Sequence, residues 1–186
     1  MSFLQLSTNQ KIVVVIISIL KMFLATLLFI NPFWGILLSL LFDWIDGGIY
    51  ILVGMKINIE RYFNIYHEFD KVTDLFFDLC LLLYLFIYFD INIFVLGLIL
   101  FLFRVIGLIL SYKKKSTKFL LFFPNIFENF AIILLIAQFF SRTIGIPSVL
   151  ILSLLTKIPQ EYFVHRKGNR NVANWTVKFY ERIFNV

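Results

Sequence analysis

Five aspartates stand inside long apolar runs of this chain: Asp43, Asp46, Asp70, Asp74 and Asp78. Carboxylates are hard oxygen ligands and general bases, so a group of them suits divalent-cation binding and proton transfer. Their spacing groups them. Asp43 and Asp46 are three apart, and Asp70, Asp74 and Asp78 are four apart, so each set shares one face of a helix. A single aspartate near the centre of a membrane helix costs about 2.5–3.5 kcal/mol, and five unpaired ones on the order of 12–17 kcal/mol. That is as large as the whole stability of a domain. The acids are therefore shallow and hydrated, or neutralised by cations. Lys21, Lys71 and Arg104 cannot neutralise all five and still serve other acids, which makes a divalent metal the economical partner. Oxygen-only ligands favour Mg²⁺ or Mn²⁺ over zinc. Gly47 and Gly48 follow Asp46 directly. Mid-helix glycines cost about 1 kcal/mol each against alanine, and the use expected of them is close approach of a ligand or a helix to the backbone.

The elements that must position these residues follow from composition. Of the 186 residues, 61% are hydrophobic and 15% charged, and the mean hydropathy is +0.92. An average soluble domain is about 45–50% apolar and about 25% charged, so a soluble globular enzyme is excluded, and disorder with it. The expected fold is all-α: an integral membrane bundle of six transmembrane helices over residues 12–30, 33–55, 62–89, 91–112, 118–140 and 145–164. Pro32 and Pro147 follow breaks, where proline suits a helix start. Residues 1–186 read as one membrane domain, with no repeat or linker. No cleavable signal peptide is expected, because Lys11 precedes an apolar run far too long for one.

Charge sets the orientation. Lys11, Lys56, Arg61, Lys113, Lys114, Lys115, Lys118, Arg166, Lys167, Arg170, Lys178 and Arg182 fall on one side, against Arg142 alone on the other. The positive-inside rule makes both termini cytoplasmic. The net charge of +6 is then a matter of topology and anionic lipid headgroups, not of nucleic acid. Residues 171–186 space apolar residues among cations and read as an amphipathic helix on the inner surface. The second and third segments become antiparallel neighbours joined by a short cytoplasmic loop, so their two acidic faces can meet near the inner half of one hairpin.

These residues resemble the signature of the CDP-alcohol phosphatidyltransferases, D-x2-D-G-x2-A-R followed by G-x3-D-x3-D. Asp43-Trp-Ile-Asp46-Gly47 and Asp70-Lys-Val-Thr-Asp74 match the four aspartates and the first glycine. Ser18-Ile-Leu-Lys21 is similar to the family's T-x2-R stretch, with lysine for arginine. Tyr50-Ile51 stands where the family has Ala-Arg, Tyr66 where it has its second glycine, and the gap between the halves is about six residues longer. A second register is open, in which Asp74 and Asp78 are the third and fourth aspartates.

The resemblance implies an enzyme of the cytoplasmic membrane whose active site faces the cytoplasm. It would move a phospho-lipid group from a CDP-linked lipid to a small alcohol or phosphorylated alcohol, releasing CMP, in phospholipid synthesis. It also implies Mg²⁺ or Mn²⁺ on Asp43, Asp46, Asp70 and Asp74, with Asp74 as general base. Gly47, Gly48, Lys21, Arg61 and Lys71 are the substrate-binding candidates. Members of the family often form homodimers, and no dimer face is marked in this sequence.

Three other readings stand beside this one. They are a catalytically inactive relative held by ion pairs, a small ion or proton carrier using intramembrane acids, and a prenyl-transferring enzyme, for which the chain is too short. Individual residues have bland readings too. Asp78 is expected to pair with Lys21 or Arg104, and Lys157 with Glu161 one turn on. Glu128, with Asn125 and Asn129 beside Pro124, is either helix glue or the wall of an acceptor pocket. Cys80 and the many phenylalanines read as packing or lipid-facing, and His67 and His165 as interfacial.

Overall fold

The computed structural model of the chain describes residues 7–54, 59–114 and 118–166, with side chains described except at 44, 47, 48, 50–54, 59–68, 118, 161 and 163–166. The expected tail helix at 171–186 and the cations Lys56, Lys115, Lys167, Arg170, Lys178 and Arg182 lie outside the described residues. The described residues are helical, with no strand: α1 (Thr8–Thr26) with a 3-10 turn (Leu27–Phe29), α2 (Pro32–Gly54), α3 (Ile59–Tyr88), α4 (Ile91–Lys114), α5 (Lys118–Phe122), α6 (Ile126–Phe139) and α7 (Ile146–Arg166). Two stretches among them are long and apolar enough to cross a membrane, Thr8–Phe29 and Ile91–Lys114. The described residues divide into two compact units, one up to Phe77 and one from Asp78 onward. Helix α3 runs through the boundary.

In the first unit, local chemistry fixes the helix ends. Ser7 and Gln10 form a capping box: the Gln10 amide donates to Ser7 Oγ and the Ser7 amide to Gln10 Oε1. This satisfies two of the amides that a helix start leaves over. Pro32 occupies the first position of α2, where its missing N–H is no loss. The Asn31 side chain accepts from the Trp34 amide. Helices α1 and α2 pack on each other over Val14, Ile17, Ala25, Leu28 and Ile36, all buried. Gly35 sets how closely they approach. A Cβ there would lie 2.8 Å from the Leu28 Cα and 2.9 Å from the Leu27 carbonyl carbon, inside the backbone of the 3-10 turn. Outward, α1 shows Ile16, Ile19 and Phe23.

The second unit holds its core around Leu81, Leu85, Phe127, Phe130 and Val149, all buried. Phe101 meets Phe127 edge-on at 5.6 Å. Here one expectation is corrected. The segment 118–140 is not one helix but two, α5 and α6. Pro124 has no N–H to donate and disfavours the helical conformation in the residue before it. The broken backbone is satisfied locally: Asn125 caps α6 by accepting from the Glu128 amide, and Arg104 donates to the Phe123 carbonyl at 3.4 Å. Gly107 of α4 makes room at the break, because a Cβ there would collide with the Phe123 side chain. The far end of α6 closes in a Schellman turn. Ser141 has φ 51°, its amide donates to Gln138, and the Arg142 amide donates to Ala137. Pro159 lies inside α7, which the sequence reading did not weigh.

Replacing Gly35 with leucine forces α2 away from the 3-10 turn and should destabilise the protein by about 1–3 kcal/mol. Thermal unfolding in detergent checks this. Leucine at the exposed position Ile19 is the control and should leave the transition in place.

Candidate functional site

Three helices of the first unit bring their charged residues to one point. Helix α1 supplies Lys21, α2 supplies Asp43 and Asp46, and α3 supplies Asp70 and Asp74. The Lys21 ammonium Nζ lies 2.6 Å from Asp43 Oδ1, 2.6 Å from Asp46 Oδ2, 2.5 Å from Asp70 Oδ1 and 3.7 Å from Asp74 Oδ1. The i, i+3 and i, i+4 spacings produce this convergence, since each pair faces the lysine from one side of its helix. The surroundings are graded. Asp46 is fully buried, the Lys21 side chain is 10% exposed, and the Asp43 and Asp74 side chains are 56% and 42% exposed. The cluster therefore has a dry floor at Asp46 and an open rim at Asp43 and Asp74. Thr73 turns its hydroxyl back to the Asp70 carbonyl, which keeps it out of the cluster.

When all four carboxyl groups are ionised, one ammonium among them leaves an excess of three negative charges. Ligand oxygens of Asp43, Asp46 and Asp70 lie within 4.8 Å of one another. At that separation two like charges repel by roughly 3–4 kcal/mol at an effective dielectric of 20. The donor set is oxygen alone, which suits a hard divalent cation. Asp43, Asp46 and Asp70 could hold such an ion, and in the structure the cation among them is the Lys21 ammonium. Lys21 was expected among the substrate-binding residues. Its place is in the middle of the acids, where one cation serves four carboxylates at once, more than the sequence reading allowed.

Asp78 belongs elsewhere. It is buried in the second unit and accepts a hydrogen bond from Asn125 Nδ2 at 3.0 Å. Of its two expected partners, Lys21 faces the other four aspartates instead, while Arg104 lies within electrostatic reach of Asp78 and also donates to the Phe123 carbonyl freed by Pro124. Asn125 Nδ2 also donates to Glu128 Oε2 at 3.1 Å, and Lys157 Nζ reaches the same oxygen at 2.9 Å. Lys157 thus links α7 to α6, where the sequence reading had given it to Glu161, whose side chain lies outside those described. Glu128 acts as helix glue. Sequence reasoning missed the capping role of Asn125, although Pro124-Asn125 followed by Glu128 three residues later is a helix-start pattern.

Of the remaining candidates, Gly47 and Gly48 continue α2 directly after Asp46, and Lys71 is half-buried on α3. Arg61 lies on α3, and its side chain, like that of Tyr50, is outside those described.

Asn125→Ala removes the donor to a buried carboxylate and a helix cap together, so it should cost about 1–3 kcal/mol. Asp78→Asn keeps an acceptor for Asn125 and should cost less. Denaturation of both variants side by side checks the order. Comparison of the chain with known protein families, with curated proteins and with solved structures finds no match to it.

Proposed function

We propose that this chain is an integral membrane phosphotransferase of phospholipid synthesis, similar in chemistry to the CDP-alcohol phosphatidyltransferases. In this reading the donor is a CDP-linked lipid, the acceptor is a small alcohol or phosphorylated alcohol, and CMP is released. The observation that carries it is the convergence of Asp43, Asp46, Asp70 and Asp74 on one cation position. The same four residues carry the sequence resemblance, and their spacing aligns each pair on its own helix without by itself bringing both pairs to one cation. Their meeting with Asp78 bonded to Asn125 instead supports the register that uses Asp70 and Asp74.

The membrane reading is a six-span bundle with both termini cytoplasmic and the acidic site facing the cytoplasm. It is supported by the two long apolar helices, by the outward apolar side chains of α1 and α4, and by the one-sided distribution of cations. The cytoplasm is also where CTP-derived substrates are made.

In this reading Asp43, Asp46, Asp70 and Asp74 would hold Mg²⁺ or Mn²⁺. When bound, the ion neutralises the pyrophosphate and the charge that grows on departing CMP. The chain's own residues do the rest. Asp46, at the dry floor, fixes the position of the cluster. Asp74, at the rim and furthest from Lys21, presents an oxygen to an incoming hydroxyl. The acceptor oxygen forms a bond to the lipid-side phosphorus, the bond from that phosphorus to the CMP oxygen breaks, and the hydroxyl proton passes to Asp74.

Lys21 favours a second reading as well. A lysine shared by four acids is how a catalytically silent, ion-paired bundle would be built, with Tyr50-Ile51 marking the lost half of the signature. One assay separates the two. Purified protein given a CDP-diacyl lipid, Mn²⁺ and a panel of alcohols should release CMP, and folded protein releasing none with any acceptor removes the enzymatic reading. Asp74→Asn should lower turnover by about 10²–10⁴-fold, the usual contribution of a general base, with unchanged thermal unfolding. Asp78→Asn should keep most activity.

A further inference from the structure

We infer that Lys21 is a displaceable internal counter-cation: its ammonium holds the carboxylates of α2 and α3 together in the metal-free protein, and a divalent cation takes those oxygens only by expelling it. This rests on the reading of the aspartates as a metal site given above, and it concerns what the lysine does there.

The geometry is specific. Three carboxylate oxygens lie 2.5–2.6 Å from Nζ. The ammonium donates to Asp43 and Asp70, and Asp46 Oδ2, in ion-pair contact at 2.6 Å, is fully buried. A divalent ion of this size binds oxygens at about 2.0–2.2 Å. An ion on the same three oxygens would be centred almost where Nζ stands. Two cations cannot share that position, so loading and lysine binding exclude each other.

The lysine also has a task in the empty state. Without it, Asp46 would be a fully buried carboxylate facing Asp43 and Asp70 across a few ångströms, and the three would push α2 and α3 apart. Lys21 keeps the oxygens within reach of one another, so the metal meets an assembled site. The cost is competition, because every loading event must break the lysine's ion pairs. Such a coupling between two ligands of one site ordinarily amounts to about 5–150-fold in affinity. The expelled ammonium hangs from α1 beside the open rim at Asp43 and Asp74.

The test uses the full chain in detergent with Mn²⁺ alone as the probe. Acylation of Lys21 by an amine-reactive reagent, followed by mass spectrometry, should be slow without metal and faster once Mn²⁺ saturates the protein. Mn²⁺ affinity, read by electron paramagnetic resonance, should be about 5–150-fold tighter in Lys21→Met than in the unaltered chain. The same variant should unfold at a lower temperature without metal and recover with it. Unchanged labelling in Mn²⁺-saturated protein overturns the inference, as does equal or weaker binding by the variant, and both leave the metal site standing. Absence of Mn²⁺ binding in both proteins overturns the metal reading and this inference together. Should Lys21→Met fail to fold, the labelling of unaltered protein decides alone.

Discussion

A single ammonium facing four carboxylates is the constraint on which the first unit depends. Asp46 is fully buried, where apolar surroundings reject the charge of a carboxylate. Its charged form needs a cation beside it, and Lys21 is the cation that α1 delivers. The position of the lysine is in turn fixed by the way α1 lies on α2. That packing rests on Gly35, where the backbone of the 3-10 turn leaves no room for a side chain. A small residue at a helix contact thus governs an electrostatic site about two turns along the same pair of helices. In a bilayer this dependence is sharper than in water, because lipid tails compete equally for apolar side chains and only close packing and polar pairs separate one arrangement from another.

The second unit solves a related problem differently. Pro124 breaks a helix where unpaired backbone groups would be expensive. Side chains serve the break: Asn125 caps the new helix, and Arg104 donates to the Phe123 carbonyl. Asn125 then has an amide to spare for Asp78 and Glu128, and Lys157 balances Glu128. The polar residues here are linked as consequences of one proline. That distinguishes them from the aspartates of the first unit, whose convergence on Lys21 serves no backbone need. That contrast is what the proposed chemistry of the first group rests on.

Periodicity and hydropathy made the helices legible. The breaks at Asn31-Pro32, at Asp90 and after Phe140 appear in the fold where the apolar runs stop, because each is a polar or proline-containing gap that a helix cannot cross cheaply. The segment 118–140 was misjudged because its apolar run continues through Pro124, and hydropathy is blind to a missing N–H. The face shared by Asp43 and Asp46, and that shared by Asp70 and Asp74, followed from spacing alone. What spacing could not give was the partner. Lys21 is 22 residues from Asp43 and 49 from Asp70, and no local pattern relates them. Asp78 shows the same limit from the other side. It continues the i, i+4 row of Asp70 and Asp74, yet its hydrogen bond comes from Asn125, 47 residues away.

The graded exposure of the cluster bears on what it can do. A purely structural ion pair gains from being closed on all sides, since water weakens it and its charges need no access. Here the floor is closed at Asp46 while Asp43 and Asp74 are about half exposed. Asp74 sits 3.7 Å from Lys21 and, like Asp43, is open to the outside. Asp43, Asp46 and Asp70 lie close about the ammonium and Asp74 stands off from it, and the proposed role of Asp74 as the base rests on that difference together with the opening.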